Sequence, residues 1–193
     1  MQNMTTNQRS EFPQAIRYPL ANSISADIAL VPYAKVGDEW TLSDDVVLSL
    51  AARALDEHVL ESVFVDGSVR TPTQFLALMQ RSDNIPIFAF SGNSCVGAAW
   101  LNGCVGNVAF GHFMLVRGGR GDIAHRAGKL VLDYWRAFVV GNRPLFDVIL
   151  GIIPSANNRA VEFVQRIGFV KLGEIPKMLR GQTAALFYCI FAG

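Results

Sequence analysis

Between Val116 and Asp122 the chain reads Val-Arg-Gly-Gly-Arg-Gly-Asp, a stretch with few side chains other than two guanidinium groups. An apolar strand, Val108–Val116, leads into it, and a helix is expected to leave it from about Asp122. A loop of that kind suits an anion. Its backbone N–H groups can converge on a phosphate, and the dipole of the following helix adds to the attraction. Arg117 and Arg120 can pair with phosphate oxygens directly. The bland alternative is a turn with solvated arginines. The same residues contain Gly119-x-Gly121-x-x-Ala124, the spacing of a dinucleotide-binding turn. That reading needs a βαβ unit and an acid about 20 residues later, at the end of the next strand. Asp147 falls at the start of that strand, and a meander precedes the loop, so the dinucleotide reading fails.

His112 lies in the strand that feeds the loop. An imidazole, with an ordinary pKa near ~6.5, suits a general base. It could equally be a histidine hydrogen-bonded at the edge of the core. Gly111 beside it suggests a bulge that would open the strand pair. His58 and His125 show no partner in the sequence and read as solvated helix positions, with His125 near the phosphate end. Ser155 reads as a capping residue, and Tyr134 and Trp135 as helix core. Cys95, Cys104 and Cys189 are odd in number and lack ligand spacing, which points to reduced thiols and no metal.

These residues need elements to hold them. Asp27–Ala34 reads as a first strand, with Pro32 hinting at an edge. Ser43 opens a helix whose first turn carries Asp44 and Asp45, and Thr71-Pro72 opens another. Ile85–Phe90, Cys95–Leu101 and Val108–Val116 form an antiparallel meander through tight turns at Ser91-Gly92-Asn93 and Asn102-Gly103. The helix after the loop is expected to run to Val139, with Ile123, Ala127, Leu130, Val131, Tyr134, Trp135 and Phe138 inward. Ile149, Leu150, Ile152 and Ile153, within Phe146–Ile153, read as a strand buried on both faces. Asn157 then caps a helix carrying Ala160, Phe163, Val164 and Ile167, and Gly168 ends it. Val170–Ile175 and Ala184–Phe191 close the chain. Two helical crossovers flank the fourth and fifth strands, so those two should run parallel.

The unit Asn157, Ala160, Phe163, Val164, Gly168, Phe169 resembles the last helix of the GNAT-fold (GCN5-related) N-acetyltransferases, N-x-x-A-x-x-(apolar)-(Tyr)-x-x-x-G-F. Val164 stands where that family often has a tyrosine. The order of elements over roughly residues 27–191 resembles the GNAT order as well. The loop resembles the family's acetyl-CoA motif, (Gln/Arg)-x-x-Gly-x-(Gly/Ala), with Gly119 and Gly121 in the small positions and Val116 in the Gln/Arg position. The resemblance implies an α/β (α+β mixed) fold: a mostly antiparallel six- to seven-stranded sheet, a parallel pair of fourth and fifth strands, and about four helices. It further implies acetyl-CoA as co-substrate, held by the main chain from Phe113 through Met114 to Val116 and by Arg117, Gly118, Gly119, Arg120 and Gly121. Asn157 would be a partner for the pantetheine amide. Such an enzyme aligns an amine, deprotonates it, polarises the thioester carbonyl and reprotonates the thiolate. His112 is the candidate base; with Val164 in the tyrosine place, the acid is unassigned.

The bulk numbers agree with one globular domain. The chain has 193 residues, 51% hydrophobic and 17% charged, with net charge +1. Such a balance gives no basis for a nucleic-acid or membrane-surface partner. Residues 1–24 are polar and aperiodic and read as an arm, leaving 25–193 as the domain. No signal-peptide core is evident, and no uncharged apolar run reaches the ~18 residues of a membrane helix, so a cytoplasmic protein is expected. The acceptor would be a small-molecule or peptide amine, and the apolar C-terminal strand could pair across a homodimer. The competing function, from a different class, is a GNAT-fold binding or assembly module without catalysis.

Overall fold

The computed structural model describes residues 27–140 and 143–191; the proposed arm at 1–24 lies outside them. The first strand, β1 (Ile28–Pro32), is followed by a small hairpin, β2 (Lys35–Val36) and β3 (Glu39–Trp40). Three helices come next: α1 (Asp44–Asp56), α2 (Val59–Val63) and α3 (Pro72–Met79). The meander is β4 (Ile85–Ser91), β5 (Ser94–Val105) and β6 (Val108–Leu115), and a 3-10 turn at Arg117–Gly119 leads into α4 (Asp122–Arg136). After the short strands β7 (Val139–Val140) and β8 (Arg143–Pro144) come β9 (Val148–Pro154), α5 (Asn158–Ile167), β10 (Val170–Leu179) and β11 (Gln182–Ile190).

Seven of these strands form one sheet in the order β1-β4-β5-β6-β9-β11-β10. All pairs are antiparallel except β6 with β9, the parallel pair the crossovers imply. β1 is an edge strand, as Pro32 suggests. Because neighbouring strand residues face opposite ways, the sheet has two cores. Ile87, Ala89, Ala99, Leu101 and Ala109 pack with α4 and α5, whereas Phe88, Ala98, Trp100 and Met114 pack with α1 to α3.

Local chemistry sets the helix boundaries. Ser43 Oγ accepts the Asp45 N–H at 3.2 Å, and Thr71 Oγ1 accepts that of Gln74 at 3.2 Å, with Pro72 in the first turn. Among the described residues there are five helices, where about four were expected. The extra one, α2, is a single short turn that begins after His58, whose φ of 56° breaks α1's continuation. α4 ends at Arg136, short of the expected Val139, where the chain enters β7.

β9 departs from the expectation of burial on both faces. Only Ile149 and Gly151 are buried in it, and Leu150, Ile152 and Ile153 are half-buried. The cause is the sheet. β9 pairs with β6 only through Val108↔Val148, Ala109↔Ile149 and Phe110↔Leu150, and the two strands then part. The opening begins beside Gly111, but not through a bulge against β5, because that register is unbroken from Gly97↔Leu115 to Asn102↔Phe110. Gly111 instead leaves room for the core: a Cβ there would lie 2.7 Å from Ile149 Cγ2 and 3.3 Å from Trp135 Cζ3.

Candidate active site

A cavity of about 1060 Å³ opens where β6 and β9 separate. Phe113 and Leu115 of β6 form its floor. Gly119, Arg120, Gly121, Ala124 and His125 bring in the loop and the start of α4, and Asn157, Ala160 and Phe163 the start of α5. Glu57, His58, Glu61, Ser62 and Val65, from the end of α1 and along α2, are among those that supply the opposite wall.

Two helices aim their N-termini here. Asn157 Oδ1 accepts the Ala160 N–H at 3.2 Å, so α5 is capped by its own sequence. α4 starts from Gly121, at φ 65° and ψ −134°, with no side-chain cap. Its first N–H groups are therefore available to an anion, and the dipole of a 15-residue helix stands behind them. Gly119 is buried, and a Cβ on it would lie 2.5 Å from the Val96 carbonyl oxygen, so the loop seats against β5 only with glycine there. Gly121's backbone conformation likewise favours glycine. Arg120, His125, Arg159 and Arg166 add cationic or titratable groups around this end of the cavity. This donor set fits a diphosphate.

Of the predicted residues, Gly119, Arg120, Gly121 and Asn157 line the cavity, together with Phe113 of the expected main-chain segment, whereas His112, Met114, Val116, Arg117 and Gly118 do not. Val116 and Met114 are buried in the core on the α1–α3 side, and the Val116 main chain is engaged at both ends, its N–H donating to the Val96 carbonyl at 3.1 Å and its carbonyl accepting the Gly119 N–H at 2.8 Å. Arg117 and Gly118 are exposed on the outer side of the turn. His112 lies on the opposite face of β6 from Phe113 and Leu115. Its ring stacks on Trp100 at 5.0 Å between centroids, and Nε2 lies 3.0 Å from Asn102 Oδ1. Burial lowers its pKa to about 4.

Val164 is only 5% exposed and belongs to the core, while Phe163 forms cavity wall. Gly128 of α4 permits this packing, since a Cβ on it would lie 2.8 Å from Ile167 Cγ2 and 2.9 Å from Phe163 Cζ. Ser62 carries the one hydroxyl among the described lining residues, and it donates to the Val59 carbonyl at 2.8 Å.

Sequence reasoning did not identify Glu57, His58 and Glu61 as wall residues. His58 Nδ1 and Glu61 Oε2 are 3.6 Å apart, both well exposed. Arg159, Glu162 and Arg166 were legible only as the polar face of α5, at helical spacing opposite its buried residues. Among the described residues no cluster of three or more His, Cys, Asp or Glu is placed to hold a metal, and no helix is long and apolar enough to cross a membrane.

No family model matches the sequence, and no curated protein matches it significantly. Solved structures do match in three dimensions. A ribosomal L7/L12 α-N-protein acetyltransferase, RimL, in complex with coenzyme A superposes with a TM-score of 0.66 at 14% identity, covering 88% of this chain and 97% of that one. A GNAT-family acetyltransferase from Bacillus anthracis gives 0.64 at 11%, over 86% and 95%. Spermidine N-acetyltransferase from Vibrio cholerae, in complex with coenzyme A and spermine, gives 0.63 at 14%, over 86% and 96%. The chain therefore has the GNAT N-acetyltransferase fold across nearly all its described length.

Proposed function

We propose that this chain is an acyltransferase that takes an acetyl group from acetyl-CoA and passes it to an amine by direct attack. One observation carries the reading. The uncapped N-terminus of α4, the Gly119–Gly121 loop and the gap between β6 and β9 open onto a single cavity that Asn157 also lines. Acetyl-CoA would supply an already activated thioester to that cavity. The main chain from Gly118 to Ala124, with Arg120, would hold its diphosphate, and Asn157 its pantetheine arm. The free backbone edge of β6 beyond Phe110 is placed to orient the acyl carbonyl. The three solved structures carry acetyltransferase names, and two of them hold coenzyme A, which supports the choice of cofactor.

The proton of the attacking amine is assigned to the wall rather than to the sheet. His58 and Glu61 line the cavity and His112 does not, so this reading gives the base role to the His58–Glu61 pair. The acceptor is an amine, small or peptidic, that enters between α2 and the β10–β11 hairpin, where Gln182 also reaches the cavity.

The alternative is a GNAT-fold binding module without turnover, favoured by the burial of Val164 and the absence of a tyrosine from the described lining. A single assay separates the two. Purified protein is incubated with acetyl-CoA and a panel of mono-, di- and polyamines and N-terminal peptides, and free thiol is followed. Amine-dependent thiol release that His58→Ala abolishes supports the enzyme. Acetyl-CoA binding with no release for any amine supports the module.

A further inference from the structure

The anion loop already holds an anion. Glu57, the residue that ends α1, extends its carboxylate to the loop and accepts the backbone N–H of Arg117, 60 residues away in sequence. The same Oε2 lies 3.7 Å from Arg120 Nη2, and the Glu57 side chain is only 17% exposed. One turn earlier on the same face of α1, Arg53 Nη1 donates to the Cys95 carbonyl at 2.9 Å. Cys95 precedes Val96, whose carbonyl accepts the Val116 N–H at 3.1 Å where the loop begins. The end of α1 is thus fastened to β5 by Arg53 and to the loop by Glu57.

A carboxylate that takes a loop N–H and faces a guanidinium reproduces two contacts a phosphate would make. We infer that Glu57 is a built-in placeholder for phosphate: it keeps the loop formed while empty and gives up Arg120 to an arriving diphosphate. The biological ligand in this inference rests on the acetyl-CoA reading above; the placeholder itself concerns any diphosphate. Its negative charge beside the site opposes ligand binding, so the loop stays ordered at a cost in affinity, and a bound diphosphate leaves more readily. Glu57 is a positioning residue in this account, acting through Arg120 and the Arg117 N–H.

The substitution that separates charge from structure is Glu57→Gln, which retains an acceptor for the Arg117 N–H and removes the charge. Calorimetric titrations of wild type and E57Q with acetyl-CoA, and separately with inorganic pyrophosphate, are run at low and high salt. The placeholder predicts roughly tenfold tighter binding of both ligands by E57Q at low salt, with the gain vanishing near ~1 M salt. A purely structural tie predicts equal or weaker binding, and that result overturns the inference. Glu57→Ala, which removes the acceptor too, is expected to lower thermal stability where E57Q does not. If neither form binds acetyl-CoA while E57Q still prefers pyrophosphate, the acyltransferase reading falls and the placeholder stands. If E57Q shows no preference for either ligand, including no binding at all, the placeholder falls whatever wild type does with acetyl-CoA.

Discussion

α4 and α5 bring their N-termini to the same cavity, yet the two ends are finished differently. α5 is closed by Asn157, three residues from the N–H it accepts. α4 has no such cap, and the turn before it is closed from outside by Glu57. Helix ends need partners for their first N–H groups, and where those partners come from shows what an end is for. An end satisfied by its own sequence is complete. An end left open beside a glycine loop and a guanidinium has the donors that an anion would need.

The largest expected effect attacks the open end. Gly119→Ala puts a methyl group 2.5 Å from the Val96 carbonyl, and backbone on both sides must move. Acetyl-CoA binding should fall at least about 100-fold, with a loss of about 2 kcal/mol of stability, read by calorimetry and thermal unfolding. A Gly119→Ala protein that binds acetyl-CoA normally would show that the loop is not the anion site.

Next is Gly121→Ala, which forces a side chain into a backbone conformation of φ 65°. A cost of about 1–3 kcal/mol is expected, with weaker acetyl-CoA binding but a fold that survives.

The faces of β6 offer a third test. His112, stacked on Trp100, is expected to titrate at about 4 in the folded protein and at its ordinary value of 6.5 when unfolded. Between those values the unfolded chain binds more protons, so stability falls as pH drops from 6.5 toward 4, by about 3 kcal/mol in all. His112→Asn should flatten that part of the stability curve and leave the rate of acyl transfer within about twofold, because the ring lies away from the cavity. A large loss of rate without loss of stability would return the base role to His112.

The smallest effect belongs to the closed end. Asn157→Ala should cost about 1 kcal/mol through the lost cap, and Asn157→Asp should restore the stability. If Asn157 also meets the pantetheine amide, Asn157→Asp will regain the stability without regaining acetyl-CoA affinity. Equal recovery of both would leave it a cap alone.

Much of the fold was legible because its signals are local. Ser43, Thr71-Pro72 and Asn157 mark helix starts, Gly168 with φ 114° marks a stop, and the short apolar runs between tight turns mark the strands of the meander. α2 was not legible: it has five residues, too few to show a period, and its boundary depends on the left-handed backbone of His58. The site was legible on one side only. Gly119, Arg120, Gly121 and Asn157 stand in short contiguous patterns. Glu57, His58 and Glu61 reach the cavity because α1 and α2 pack across the sheet, which no spacing in the sequence announces. His112 is the converse case: its type and position suit a base, and only the packed sheet shows that its ring stacks on Trp100, outside the cavity lining.

The sequence by itself determined the order of the main strands and helices, the glycine loop before α4 and the capped start of α5, because capping, turn chemistry and hydrophobic period act within a few residues. Only the tertiary structure decided where β6 and β9 separate, which face of β6 lines the cavity, and that the Glu57 carboxylate meets the glycine loop. Those outcomes depend on contacts between residues tens of positions apart, where packing and charge choose among arrangements that local propensity leaves equal.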